Sequence, residues 1–412
     1  MTKHLLVALC AAFLATASFA QDADELARRV KALEQKLQDM SEVQREIDVL
    51  TREIEALKNN QQKKAVEADV QQFGLGAAAS KVYRAEPGVS FGGYGEMRYE
   101  KPEHGIATAD VVRAVLYTGY KFNNRTVFNS ELEVEHGSTE HDGEVSVEFA
   151  YLDYLLRPSA NVRAGLVLMP TGLINEQHEP TAYLGTHRPE TEDKILPTTW
   201  SEIGAGVFGD VGSFSYRGYL VTGLESGRFS AGEGLHEGKQ SGAQATAKDL
   251  AITGRLDWHP IEGTLVGGSF YAGNSGQGAG YRGRVTLTEL HADSRFRGLS
   301  LRALAARGTV GDAGAISERV GETIASSLGG WYVEGGYELG LLTPYLRYER
   351  LDTQRRVAAG FTRDPENDRR ITTFGIAFKP IAQTVIKTDW QRIKTGAGTN
   401  ANQFNLGLGY IF

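Results

Sequence analysis

The chain of 412 residues has a single cysteine, four methionines, four tryptophans and 11 prolines. One cysteine excludes both a disulfide framework and a Cys-based metal centre. Long apolar runs are also missing. Only residues 5–20 form an extended uncharged apolar stretch, which excludes a bundle of membrane-spanning helices. Positive charge is not in excess: 44 basic face 51 acidic residues, net −7, so nothing points to nucleic acid. The mean hydropathy of −0.30 leaves a membrane β-barrel open, because barrel strands alternate apolar with polar and average near neutral. What the chain does have is glycine, 49 residues, close to 12% against a usual ~7%. With no collagen period, that glycine belongs in strands and turns.

Residues 1–20 carry a basic start (Lys3), an apolar core from Leu5 to Leu14 and the small-residue end Ser18-Phe19-Ala20. This is the pattern of an export signal cleaved before Gln21. Cys10 follows the bulky Leu9 and lies too near the start for a lipoprotein site. Cleavage removes Lys3 and Cys10, leaving a cysteine-free chain with 43 basic and 51 acidic residues, net −8.

The next segment, 21–58, reads as an α-helical coiled coil. Leu26, Val30, Leu33, Leu37 and Met40 recur in steps of four and three, and so do Val43, Ile47, Leu50, Ile54 and Leu57. The step from Met40 to Val43 is three where four is due, a stammer in the register. Charged flanks such as Arg28, Lys31, Glu34, Arg45 and Glu53 leave the stripe to be covered by partner helices. Residues 59–87, rich in Gln, Lys, Ala and Gly, read as a linker.

From residue 88 the pattern is β. Phe404, Leu406, Leu408, Tyr410 and Phe412 alternate with Gln403, Asn405, Gly407 and Gly409; Phe128, Ser130, Leu132 and Val134 alternate with Asn129, Glu131, Glu133 and Glu135. Sixteen such segments start near 89, 110, 125, 144, 161, 202, 213, 249, 263, 284, 298, 329, 342, 370, 382 and 402. Even-to-odd junctions are tight, as at Asn123-Asn124 and Pro158-Ser159-Ala160. Odd-to-even junctions are long: 100–108, 137–143, 170–200, 225–247, 274–282, 309–328, 355–368 and 394–401. A soluble sandwich has no reason to alternate turn lengths in this way, whereas an outer-membrane barrel has two different ends. The expected fold is therefore all-β: a 16-stranded antiparallel transmembrane β-barrel over 88–412, preceded by the coiled coil. Barrels of this size are wide enough for an aqueous channel. The final Phe412 fits the terminal aromatic that serves as an assembly signal for the barrel assembly machinery.

Selectivity would rest on the longest connection and on the inward wall. Within 170–200 the candidate lining groups are Glu176, His178, Glu179, His187, Arg188, Glu190 and Lys194, with Glu192 and Asp193 beside them. The spacing of His178 and His187 matches no rigid metal motif, so no metal is expected. Period-2 reading places Glu96, Arg98, Arg113, Glu131, Glu133, Arg217, Arg255, Arg347, Lys387 and Asp389 on the wall, together with Arg163, Glu148, Asp257, Arg302, Glu334, Glu338 and Glu349. Opposite signs two residues apart (Glu96/Arg98, Arg255/Asp257, Arg347/Glu349, Lys387/Asp389) point to a self-pairing wall rather than an unopposed basic row.

The chain resembles the porin O/P (phosphate-selective porin) family over about 88–412. The resemblance is carried by Phe91-Gly92-Gly93-Tyr94-Gly95-Glu96, Phe149-Ala150-Tyr151-Leu152-Asp153-Tyr154, the run Gly165 to Pro170 into the long connection, and Trp200 to Gly209. It implies a homotrimer in outer-membrane lipid with the coiled coil in the periplasm. Phosphate-selective members use arginine ladders and a loop lysine cluster. Here the long connection holds only Arg188 and Lys194 as firm cations, so no phosphate-binding residues are assigned. The expected activity is passive diffusion of ions and small polar solutes, with 170–200 as constriction. The alternative is a structural anchor whose coil tethers the envelope to the cell wall. No Ser/His/Asp spacing or ligand cluster calls for an enzyme or a cofactor.

Overall fold

The computed structural model describes residues 71–140 and 143–412, and in the amino-terminal region residues 27–33, 35, 36, 45, 47 and 49–53. The chain divides into two units, 1–67 and 68–412. In the first, residues 27–33 and 49–53 are helical. Val30, Leu33, Ile47 and Leu50 of the heptad stripe are each roughly half exposed. The signal expected over 1–20 and the remaining stripe positions lie outside the described residues.

The second unit is a closed barrel of sixteen antiparallel strands. They are β1 Gly88–Pro102, β2 Thr108–Lys121, β3 Thr126–Glu135, β4 Val145–Arg157, β5 Ala160–Leu168, β6 Ser201–Val211, β7 Phe214–Thr222, β8 Leu250–Trp258, β9 Thr264–Asn274, β10 Arg284–Phe296, β11 Leu299–Val310, β12 Ala325–Tyr337, β13 Leu342–Val357, β14 Asp368–Ile381, β15 Thr384–Thr395 and β16 Asn400–Ile411. Each starts within a few residues of its expected position. The seam joins β1 to β16, from Tyr94 opposite Ile411 to Pro102 opposite Gln403. Phe412 extends it by exchanging backbone bonds with Gly93 at 2.9 and 3.1 Å.

Burial runs opposite to that of a soluble fold. On β13, Arg347 and Glu349 are 1% exposed while Leu346, on the opposite face of the same strand, is 56% exposed. On β8, Asp257 is buried and Leu256 is not. The charged row faces in and the apolar row faces out, as the period of two requires.

Two expectations need correction. Glu338 is not on the inner wall. It lies just beyond Tyr337, exposed at a tight turn, where its N–H donates to the Gly298 carbonyl. The alternation that placed it inward stops where the strand ends. The described part of the expected linker, 71–87, is also packed rather than loose. Leu75, Ala77, Ala78, Ala79, Ser80, Val82 and Tyr83 are buried, and Lys81–Arg84 forms a one-turn helix, α1. Small residues that read as a spacer instead let the backbone press against a wall. The reciprocal gaps are glycines: a Cβ on Gly92 would sit 3.2 Å from the Ala78 carbonyl oxygen, and one on Gly119 would sit 2.5 Å from a Val82 methyl.

Candidate functional site: the in-folded connection and the charged lumen

The connection between β5 and β6 is drawn together at its base. Asn175 Nδ2 donates to the carbonyls of Met169 (2.7 Å) and Trp200 (2.9 Å), and Trp200 N–H donates back to Asn175 Oδ1 at 2.7 Å. Trp200 is fully buried, with its ring 4.8 Å from that of Tyr271 on β9. From this base the connection turns into the barrel and hydrogen-bonds the inner face of strands around its circumference.

Glu192 accepts from the N–H groups of Leu173 and Ile174 at 2.7 Å each, closing the loop on itself, and from the Tyr332 hydroxyl of β12. His178 Nε2 lies 3.1 Å from both Glu131 oxygens on β3. The Tyr183 hydroxyl donates to Glu96 on β1 at 2.8 Å, while Thr186 donates through N–H and hydroxyl to Asp389 on β15 at 2.7 and 2.8 Å. Wall cations hold the loop backbone. Arg302 donates to the Ala182 carbonyl, Lys387 to that of Gly185 and Arg347 to that of His187. Arg255 donates to the Gly172 carbonyl. Charge-assisted bonds of this kind are the stronger class, and they come from strands far apart in sequence.

The expected wall pairs divide. Arg255 and Asp257 do pair along β8 at 2.8 Å, and Arg347 and Glu349 along β13 at 2.9 Å. Glu96 instead faces Arg113 across strands at 3.5 Å, and Arg113 reaches Glu133 at 3.4 Å. Lys387 does not pair with Asp389; it lies over the Tyr183 ring, 3.7 Å from its centroid. Arg217 reaches both Asp257 (3.1 Å) and Glu176 of the loop (3.2 Å). Arg163 and Asp153, each almost fully buried, meet at 2.8 Å.

Among the described residues, two cavities inside the barrel gather charged side chains. The larger, about 690 Å³, opens toward the long connections. It gathers Glu96, Arg98, Arg113, Glu133, His187, Arg188, Glu190 and Lys194 from the sequence reading. It also holds groups that reading did not select: Arg228, His236 and Lys239, from the connection between β7 and β8. That connection packs on the in-folded one. Lys194 pairs with Glu233, and Lys239 Nζ donates to the Thr199 carbonyl at 2.8 Å. Arg228, His236 and Lys239 within one long connection were the available signal. The smaller space, about 300 Å³, lies toward the tight turns between Gln71–Gly74 and Arg217, Arg255, Asp257 and His259. Glu131, Glu179 and His178 are buried between loop and wall rather than lining either large opening.

Burial sets the loop electrostatics. It pushes the Glu179 carboxyl up to about 7 despite two backbone N–H donors. It pulls the His178 imidazole down to about 4, helped by the Arg188 charge. His178 is therefore neutral near pH 7. Among the described residues, no group of three or more His, Cys, Asp or Glu side chains is arranged to hold a metal.

No protein-family model matches the chain. An uncharacterized protein of Aquifex aeolicus (strain VF5) is 36% identical over 343 residues, covering 77% of this chain and 79% of the relative. Among solved structures, the anion-selective porin of Comamonas acidovorans superposes with a TM-score of 0.55 at 11% identity, over 79% of this chain and all of that one. The outer-membrane channel DcaP of Acinetobacter baumannii gives 0.52 at 14%, over 79% and 97%. The trimer form of OmpT, an outer membrane protein of Vibrio cholerae, gives 0.52 at 12%, over 79% and 99%. At these identities the likeness is one of fold, the sixteen-stranded porin barrel.

Proposed function

The chain belongs to one family with the Aquifex aeolicus protein, and from that premise we propose that it is an outer-membrane channel for passive diffusion of ions and small polar solutes. The reading is carried by the inverted burial of the barrel: charged side chains inside, apolar side chains around the outside. In water that outer surface would be an aggregation hazard, whereas in a bilayer it is the required lipid contact. In this reading, residues 170–200 form the constriction. Their hydrogen bonds to β1, β3, β12 and β15 hold them across the lumen. Arg98, Arg113 and Arg188 on one cavity, with Glu133 and Glu190 beside them, would act on a passing solute through charges of both signs. Porin neighbours named as anion-selective and as an outer-membrane channel support the class of activity.

The remaining assignments belong to the same proposal. Residues 1–20 export the chain and are removed. Residues 21–58 form a periplasmic coiled coil, and the barrel assembles as a homotrimer in the manner of the porin O/P family. Phe412 marks the last strand for the assembly machinery.

Single-channel recording with refolded protein in planar bilayers tests the channel. Discrete conductance steps are expected, and their absence from pure, folded protein overturns it. Reversal potentials in a KCl gradient then give the sign of selectivity. The half-exposed Val30, Leu33 and Leu50 favour a second role, in which the helical region binds partners and tethers the envelope. Deleting 24–58 separates the roles: unchanged conductance with a detached envelope supports tethering.

A further inference from the structure

The packed segment that precedes β1 lies inside the barrel, and no role in the channel reading uses it. It touches the inner face of seven consecutive strands, β1 (at Gly92) to β7, at their tight-turn ends. Lys121 of β2 donates to the carbonyls of Tyr83 (3.2 Å) and Ala85 (2.8 Å). Asn129 of β3 donates to the Ala79 carbonyl at 2.8 Å. The Tyr83 hydroxyl donates to Asp153 of β4 at 2.7 Å and accepts from Arg163 of β5 at 3.2 Å. The Phe73 ring meets Phe208 of β6 edge-on at 5.1 Å, and Gly74 lies against the Arg217 guanidinium of β7. The in-folded connection grips the segment from the other side, because Glu179 accepts from Ala78 N–H (2.9 Å) and Ala79 N–H (3.0 Å).

We propose that residues 71–85 are an electrically displaceable plug in the tight-turn half of the channel, so that the pore has two narrowings in series. This rests on the channel reading. The segment occupies lumen that sixteen strands would otherwise leave to water, and the space left beside it is only about 300 Å³. Its attachment combines a handful of polar side-chain contacts with apolar packing of Phe73, Leu75, Val82 and Tyr83, and no barrel strand's ladder holds it. Its charge is one-sided: Lys81 and Arg84 are its ionisable cations, with no Asp or Glu between Gln71 and Ala85. A transmembrane potential therefore pulls the whole segment in one direction. A field negative on the tight-turn side draws it out of the barrel, and the opposite field seats it.

The test uses the full chain carrying Cys10→Ser, recorded in planar bilayers. A Cβ built on Gly119 would lie 2.7 Å from the Val82 Cβ, so Val82→Cys with Gly119→Cys bridges once the seated segment backs off by about 1 Å to disulfide spacing. Oxidised, this protein is expected to hold one low conductance at both polarities. Reduced, it is expected to step to a level at least twofold higher, chiefly when the tight-turn side is negative. Lys81→Glu reverses one of the two charges of an exposed side chain and is expected to abolish that asymmetry. Removal of 71–85 is expected to give the high level permanently. Identical records before and after reduction overturn the plug, as does unchanged conductance after removal. Single Val82→Cys supplies a check that needs no deletion. A bulky water-soluble maleimide should label it at least fivefold faster with the tight-turn side negative, and labelling equal at both polarities overturns displacement. Absence of conductance in every variant is a different result and counts against the channel reading itself.

Discussion

Glu192 and Tyr332, 140 positions apart in the chain, are joined by a 2.5 Å hydrogen bond from the tyrosine hydroxyl to the loop carboxylate. The same carboxylate holds the Leu173 and Ile174 N–H groups. One side chain therefore folds the connection on itself and fixes it to the far wall. Glu192→Ala leaves two buried N–H donors without acceptors, at about 1–3 kcal/mol each. It is expected to lower the thermal unfolding midpoint and to raise and destabilise the single-channel level. Tyr332→Phe removes one bond, worth about 1 kcal/mol, and should leave conductance nearly unchanged. Equal effects of the two changes would count against the loop being held chiefly by Glu192.

The outer face makes a prediction of its own. Phe374, midway along β14, is 56% exposed. On a water-facing surface its replacement by arginine would be nearly neutral. Facing lipid, Phe374→Arg should cost ~2–4 kcal/mol at the bilayer midplane. Folding equilibria in phospholipid vesicles measure this, and a change below about 0.5 kcal/mol would remove the lipid belt from the argument.

Arg188 sits on the larger cavity with Arg98 and Arg113 and is anchored to Thr199 Oγ1 at 2.9 Å and the His178 carbonyl at 3.3 Å. If this cavity is the filter, Arg188→Glu alters its charge balance by two units. The reversal potential in a KCl gradient should move toward the potassium equilibrium potential. No movement would place the filter elsewhere.

The Glu179 contact should respond to pH. Its folded-state value near 7 lies above the ordinary 4.5 of a free carboxyl. A raised acid gives docking stability that is full below 4.5 and is lost as pH rises through 7. The difference is on the order of 3 kcal/mol. The groups facing it are His178, Glu131 and Tyr117, with the backbone of Ala78 and Ala79. His178, pulled down to about 4, works in the opposite sense below pH 6.5, because its neutral form is the docked one. Glu179→Gln keeps a carbonyl acceptor and loses the titration. On going from pH 7 to 5, limited proteolysis of 71–85 should therefore speed up in the variant, where only the opposing His178 titration remains, and should do so less in the parent chain, where Glu179 offsets it. The same slope in both would assign the effect to other groups.

The strands were legible because a residue's face depends only on whether its position is odd or even, and because turn lengths alternate. Starts such as Gly88, Thr126 and Leu342 fall within a few residues of their expected places. Partnership across the lumen was not legible. Lys387 and Asp389 are two apart on β15, yet one holds the Gly185 carbonyl and the other Thr186. Sequence spacing carries no information on which loop atom arrives. Asn175 and Tyr183 are chemically ordinary residues whose roles come from where the loop turns. The segment 71–87 misled for a different reason: glycine and alanine suit both a free spacer and a backbone that must approach a wall closely. Only the glycines on the other side, Gly92 and Gly119, distinguish the two cases.

The outward placement of the apolar side chains has a thermodynamic consequence. Water-driven burial, which dominates the stability of soluble domains, acts here between chain and bilayer as well as in the internal cluster that holds Leu75, Val82 and Trp200. The free energy of the folded barrel therefore belongs to a pair of partners and changes with the lipid or detergent around it. The interior contributes through directed bonds such as Arg163 to Asp153 at 2.8 Å. Urea midpoints compared across variants carry meaning only when the amphiphile is held fixed, and heat-capacity changes on unfolding will report the host phase as much as the protein.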